Sequence, residues 1–272
     1  MKGLKKLAAV AISGCALLAS PVFAGQLSVN GSTTVLPIMQ AATEAYTNDN
    51  PETTFSVAGT GSGNGIRAVI DGMADIGMSS RWIKDSEVKQ AHENGVYIVP
   101  FAVASDGIVP VVHPDNPVKE LTSEQLRGIY NGSITNWKEV GGEDKRIVSI
   151  SRDSSSGTYG VWVDTVLKGD RVSPTTQLLP SNGAIVQTVT SNRNAIGYVG
   201  IGYLNDKLQP LKLDGVEPSH DTVRDGSWPV ARTLWVFTNN WPQGETLKFI
   251  QYVLHPEQGQ KAVESTGYVP LY

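Results

Sequence analysis

The chain has 272 residues, of which 40% are hydrophobic and 18% charged, with a formal charge of −4. Such a composition belongs to an ordinary globular protein, long enough for one large or two small domains. No Lys/Arg cluster or basic stripe is present to meet nucleic acid, and no later apolar run is long enough to span a membrane.

The N-terminus begins with Lys2, Lys5 and Lys6, then the uncharged apolar run Leu7 to Leu18, then Pro21-Val22-Phe23-Ala24. This layout predicts a secretory signal peptide, residues 1–24, cut after Ala24. A second reading takes Ile12-Ser13-Gly14-Cys15 as a lipobox, giving a protein anchored through Cys15. The residues after Cys15 stay apolar where a lipoprotein continues into a polar tether, which favours the soluble exported form. Cleavage removes the one cysteine, so no disulfide or cysteine metal site is expected. It also takes three of the 22 basic residues, leaving 19 against 26 acidic ones, a charge of −7. An acidic protein that binds an anion must do so with local oriented dipoles.

Strand and helix then alternate. Gln26–Asn30 reads as a strand, GSTT (Gly31–Thr34) as a loop, and Val35–Thr47 as a helix with Pro37 near its start. Thr53–Ala58 reads as a strand, followed by the glycine loop Gly59–Gly65 and a short helix, Ile66–Asp71. Ala74–Met78 is a strand with Ser79-Ser80-Arg81 at its exit, and Asp85–Asn94 a polar helix. Val96–Val112 is a long β stretch broken at Ser105-Asp106-Gly107, suited to passing between domains. Thr122 and Gln125 form a capping box for a helix through Tyr130. Arg146–Ser151 is β-rich and leads through SRDSSSGT into the helical run Tyr159–Leu167. Ala184–Val189 reads as helix, Ala195–Val199 as strand, Val230–Phe237 as strand, and Glu245–Leu254 and Gln258–Glu264 as helices. Alternation of this kind predicts an α/β architecture with mostly parallel sheets. The chain leaves a first domain near residue 104 and returns near 238.

Three loops, Gly31–Thr34, Gly59–Gly65 and Ser151–Thr158, each follow a strand and precede a helix, and Met78-Ser79-Ser80-Arg81 is a fourth segment of the kind. Helix starts carry unpartnered N–H groups and positive potential, to which hydroxyls and Arg152 add donors and charge. Each loop taken singly is explained by a hydroxyl N-cap; four together point to a convergent oxyanion site. The glycine loop has neither G-x-G-x-x-G spacing nor a P-loop ending, and Ser62 lacks a G-x-S-x-G elbow. His92, His113, His220 and His255 share no ligand spacing, so no metal is expected. The six tryptophans are read as packing rather than a sugar platform.

At these residues the chain resembles the periplasmic phosphate-binding proteins of bacterial ABC phosphate importers, within the two-lobed solute-binding superfamily. The resemblance spans nearly the whole mature chain: GSTTVLP at Gly31–Pro37, GTGSGNGIRAV at Gly59–Val69, DIGMSSR at Asp75–Arg81, RDSSSGT at Arg152–Thr158 and AIGYV at Ala195–Val199. It implies a type II two-lobed periplasmic-binding-protein fold. Two mixed-sheet α/β domains, 25–104 plus 239–272 and 105–238, would be joined by crossover strands, with the ligand in the cleft. It carries phosphate binding onto Thr33, Thr34 (including its N–H), Ser62, Ser80, Arg81, Arg152, Ser156, Gly157 and Thr158, with Ser32 and Asp153 as further candidates.

The resemblance also implies capture of dehydrated inorganic phosphate, without cofactor or chemistry, by a monomer that delivers it to ABC permease subunits in the inner membrane. One departure stands out. Many family members have an aspartate where this chain has Ser80; that carboxylate accepts the phosphate proton and repels sulfate. Asp153 and Asp75 are possible replacements, although Asp153 is equally suited to orienting Arg152 by a salt bridge. Two alternatives therefore stay open: a binding protein for sulfate or another tetrahedral oxyanion, and a secreted serine hydrolase or phosphatase using Ser62 or Ser156, which would need a nearby general base.

Overall fold

The computed structural model describes residues 26–272. The expected signal peptide, its cut after Ala24 and the Cys15 alternative lie outside the described residues. In chain order the first elements are β1 (Gln26–Gly31), α1 (Leu36–Asp49), β2 (Thr54–Gly59), α2 (Ser62–Ile70), β3 (Ile76–Ser79) and α3 (Asp85–Glu93). The long β4 (Ile98–Val112) follows, then β5 (Glu120–Leu121), α4 (Ser123–Asn131), β6 (Val148–Arg152), α5 (Gly157–Thr165) and β7 (Gln177–Leu179). The chain continues with α6 (Asn182–Ser191), β8 (Ala195–Gly200), β9 (Gln209–Pro210), β10 (Lys212–Leu213) and α7 (His220–Arg224). It ends with β11 (Ala231–Asn239), α8 (Gly244–Leu254) and α9 (Gly259–Ser265).

The main sheet runs in the order β2-β1-β3-β11-β4-β8-β6-β7, with β9 added on β4. On one side β1 is parallel to both β2 and β3; on the other β6 is parallel to both β8 and β7. Between them β11 runs antiparallel to β3 and to β4, and β4 antiparallel to β8. The sheet is therefore mixed, and the expectation of mostly parallel sheets holds only within each side. Two lobes result, joined by the β4–β11 pair, which is paired from Ile98↔Asn239 to Gly107↔Ala231 with one register shift at Leu234/Trp235.

Two further expectations are corrected. The strand is not broken at Ser105-Asp106-Gly107: β4 is continuous there, because Ser105 and Asp106 keep partners on β11. The helix expected from Ile66 begins four residues earlier, at Ser62. Glycine weakens a helix by about 1 kcal/mol per residue, but here close approach requires it. A Cβ on Gly65 would lie 2.5 Å from the Asn30 carbonyl oxygen and 2.6 Å from Gly31 Cα, so the bare turn packs directly on β1.

Each lobe has an aromatic centre. In the first, Tyr46 of α1 meets Phe249 of α8 edge-on at 5.3 Å, and Phe55 of β2 lies 4.6 Å from Phe249. Glu245, in the first turn of α8, accepts hydrogen bonds from the Tyr46 and Thr53 hydroxyls. In the second, Trp162 of α5 stacks on Tyr198 of β8 at 4.0 Å, with Tyr130 of α4 edge-on at 5.1 Å. Every residue of β8 is buried, as expected of a central strand covered on both faces. The Tyr198 hydroxyl then pairs with Ser151 Oγ (2.7 Å) and accepts from Arg152 N–H (3.2 Å), fixing the end of β6 where the site begins. Trp137 and Trp228 are buried as well, whereas Trp82 and Trp241 are exposed.

Candidate oxyanion site between the lobes

Four strand ends converge. β1, β2, β3 and β6 each finish at a hydroxyl-bearing loop, and the Ser32, Thr33, Thr34, Ser62, Ser80, Arg152, Ser156 and Thr158 side chains are all buried. The first loop folds on itself: Ser32 Oγ accepts from Thr34 N–H (3.1 Å) and Val35 N–H (3.4 Å). Ser32 is thus the local cap, and Thr34 offers its hydroxyl while its N–H is engaged. At the start of α2, Ser62 Oγ accepts from Ser80 N–H (3.0 Å) and lies 3.3 Å from Ser80 Oγ.

In the second lobe Ser156 is the N-cap of α5, its Oγ accepting from Tyr159 N–H (3.2 Å), while Gly160 N–H donates to the Ser156 carbonyl. This leaves Gly157 and Thr158 N–H as the donors of that first turn with no intrahelical partner. The lobes touch here. Thr34 Oγ1 lies 3.1 Å from Thr158 Oγ1, Gly63 N–H donates to the Ser155 carbonyl (2.9 Å), and the Tyr203 hydroxyl donates to the Thr33 carbonyl (2.7 Å). A Cβ on Gly157 would lie 2.8 Å from Ser80 Oγ and 3.0 Å from Ser62 Cβ, so only a glycine fits at this lobe contact.

Among the described residues, Arg152 is the cleft cation without an ion-pair partner. Arg152 donates from Nε to the Leu179 carbonyl (3.1 Å) and from Nη2 to the Pro180 carbonyl (2.8 Å), and its buried Nη1 has no partner among the described residues. Burial lowers the pKa of this guanidinium, against opposing contributions from Tyr198 and Asp153 and with a smaller push from Arg232. Arg81, expected to add attraction, is instead held by Glu87 through Nη1 (2.8 Å) and Nη2 (2.6 Å), a forked ion pair that cancels its charge.

Asp153 does not pair with Arg152. Its carboxylate accepts from Ser155 N–H (2.8 Å) and from the Ser155 hydroxyl, shaping the loop locally, which corrects the expected salt bridge. Asp75, before β3 and at the end away from Ser80, accepts from Ser28 N–H and Oγ.

Three residues without a sequence signal complete the site. Arg232, on β11, donates from Nη1 to the Ser80 carbonyl (3.0 Å) and from Nη2 to Thr34 Oγ1 (3.4 Å). Its counter-ion is Asp106 of β4 at 2.7 Å, which also accepts from Ile201 N–H (2.9 Å). Burial raises the pKa of this carboxyl, and Arg232 opposes the shift. Asn182, at the start of α6 and wholly buried, donates from Nδ2 to Thr33 Oγ1 and to Thr34 Oγ1, both at 3.1 Å. Neither Ser62 Oγ nor Ser156 Oγ is hydrogen-bonded to a histidine or carboxylate among the described residues.

Known proteins are similar to this chain in sequence and fold. The PBP superfamily domain model matches residues 19–257. The chain is 34% identical over 262 residues to the phosphate-binding protein PstS of Staphylococcus saprophyticus, covering 91% of this chain and 81% of that one. It is 31% identical over 253 residues to PstS of Bacillus subtilis, with the same shares covered. Among solved structures, it is similar to a putative phosphate ABC transporter substrate-binding protein from Clostridium perfringens with bound phosphate. The TM-score there is 0.85 at 35% identity, over 91% of this chain and all of that one. An ABC-type phosphate transport receptor from Vibrio cholerae gives a TM-score of 0.73 at 32% identity, over 89% of this chain and 99% of that one. By family model, sequence and fold together, the chain belongs to the PstS-type phosphate-binding proteins of the PBP superfamily.

Proposed function

We propose that this protein captures inorganic phosphate between its lobes and delivers it to the permease of an ABC importer, as a monomeric, non-enzymatic component of the periplasm. Export would follow from cleavage after Ala24. The lobes would be residues 25–104 with 239–272, and residues 105–238, closing about the β4–β11 pair. The observation that carries the reading is Arg152. A buried guanidinium with one unpartnered nitrogen, beside the free N–H groups of α5 and a cluster of hydroxyls, is built for an acceptor-rich anion. Phosphate oxygens would bond to Arg152, Gly157 and Thr158 from one lobe and to the hydroxyls of Thr33, Thr34, Ser62 and Ser80 from the other. Ser156 and Ser32 would serve mainly as caps, and Arg81 would guard the rim with Glu87. Among the described residues neither candidate serine has a general base in hydrogen-bond reach, which supports binding over hydrolysis.

Sulfate is kept as the second ligand because Ser80 brings no repelling carboxylate. The test is calorimetric titration of ligand-stripped mature protein with phosphate and then sulfate. Tight phosphate binding that excess sulfate does not displace is expected. Preference for sulfate would change the ligand while keeping the cleft, and silence toward both would overturn the reading.

A further inference from the structure

Asn182 sits where the two lobes meet, and its orientation is dictated. Gly200 N–H, which can only donate, points at the amide at 3.2 Å, so the atom facing it is Oδ1. The Nδ2 hydrogens must then go to Thr33 Oγ1 and Thr34 Oγ1, 3.1 Å away each. Both threonine hydroxyls are therefore acceptors toward Asn182, and each has one hydrogen left to give elsewhere. For Thr34 the assignment is tighter. Arg232 Nη2 also donates to its Oγ1, at 3.4 Å, so both lone pairs are occupied by donors. Its hydrogen can go only to an anion or to Thr158 Oγ1, 3.1 Å away, which would pass the same polarity on.

We propose that Asn182 is a positioning and specificity-determining residue: it reaches across the closed cleft and fixes the hydroxyls of Thr33 and Thr34 as donors, selecting a ligand whose oxygens on this side only accept. The inference rests on the anion-binding reading above. Hydroxyls on their own are ambivalent and would serve a donating ligand as readily as an accepting one. With Nδ2 in place they become a one-way array, and because Asn182 belongs to α6 and the threonines to the loop before α1, the array exists only when the lobes are closed. The charged and titratable groups around the cluster are Arg232 with its partner Asp106, Arg152, Tyr203 and Tyr268.

The test compares Asn182→Ala with Asn182→Asp in ligand-stripped mature protein, by calorimetric titration with inorganic phosphate at about pH 8 and about pH 5.5, wild type in parallel. Asn182→Ala removes the two donors and should weaken phosphate binding about tenfold. Asn182→Asp is nearly isosteric and still accepts from Gly200 N–H, but it draws the threonine hydrogens toward itself and adds negative charge. Its loss should reach about 100-fold at the higher pH and shrink at least several-fold, relative to wild type, at the lower pH as the new carboxylate protonates. Equal losses for both variants at both pH values would mean that Asn182 only packs, and wild-type affinity in either variant would likewise overturn the proposal. Thermal unfolding of the phosphate-free variants controls for folding. Silence of the wild type toward phosphate would instead sink the underlying function.

Discussion

Gly157→Ala should move binding and stability in opposite directions. The residue opens α5, where alanine is a better helix former than glycine by up to about 1 kcal/mol, so the second lobe should be unharmed or slightly stabilised. The added methyl would point across the cleft, 2.8 Å from Ser80 Oγ and 3.0 Å from Ser62 Cβ. Ser62 cannot simply swing away, because its Oγ holds Ser80 N–H at 3.0 Å. Overpacking of this kind costs about 1–3 kcal/mol, and here the cost falls only on the closed state. Phosphate affinity should drop about 5- to 150-fold. Calorimetry would report the affinity, thermal unfolding without phosphate the stability, and small-angle scattering with phosphate a larger radius than wild type. Unchanged affinity would refute the lobe contact drawn here. A fall in melting temperature would show that the methyl damages α5 itself.

Arg152→Ala should weaken phosphate binding at least about 100-fold, since it removes a buried positive charge with an unpartnered nitrogen, whereas exposed Asp85→Ala should leave titrations unchanged. Ser80→Asp should suppress sulfate binding at least about tenfold while keeping phosphate, read by competition calorimetry, because a carboxylate repels an anion that has no proton to offer. Glu245→Gln should flatten the acid limb of thermal stability. The Tyr46 hydrogen bond, with lesser help from Lys248 and Thr53, holds the Glu245 pKa below its ordinary value of 4.5. Its contribution is thus fully present above that value and is lost as pH falls through the lowered one. An unchanged acid limb in melts between about pH 3 and pH 6 would count against the linkage.

What could be read from the chain was local. Alternating and helical periodicities placed most strands and helices, and the hydroxyl-rich loops marked the strand ends that converge on the cleft. The fate of Arg81 depended on Glu87 six residues on, whose carboxylate both takes Lys84 N–H at the start of α3 and grips the guanidinium. The sequence marked Asp85–Asn94 only as a polar helix and did not show the competition for the arginine. Asp106, Asn182 and Arg232 lie 126 residues apart at their widest, on three elements that only the fold brings together. No motif surrounds them. The sequence placed a helix only over Ala184–Val189; it begins two residues earlier, at Asn182, capped by Ser181, which accepts from Ala184 N–H, and nothing in spacing showed that the Asn182 side chain would cross between lobes. The early start of α2 was missed for a related reason. Propensity assigns Gly61–Gly65 to a loop, and packing against β1 overrides it.

The path of the chain through the β4–β11 pair also bears on when the protein can fold. β11 pairs with β3, α1 packs on α8 and α9, and Val269 bridges Ser105 in the middle of β4. The lobe that holds β1 is therefore not complete until β11, α8, α9 and Val269 have been made. Contacts so distant in sequence form slowly. Under the export proposed above, such late closure would help keep the polypeptide open until it has crossed the membrane.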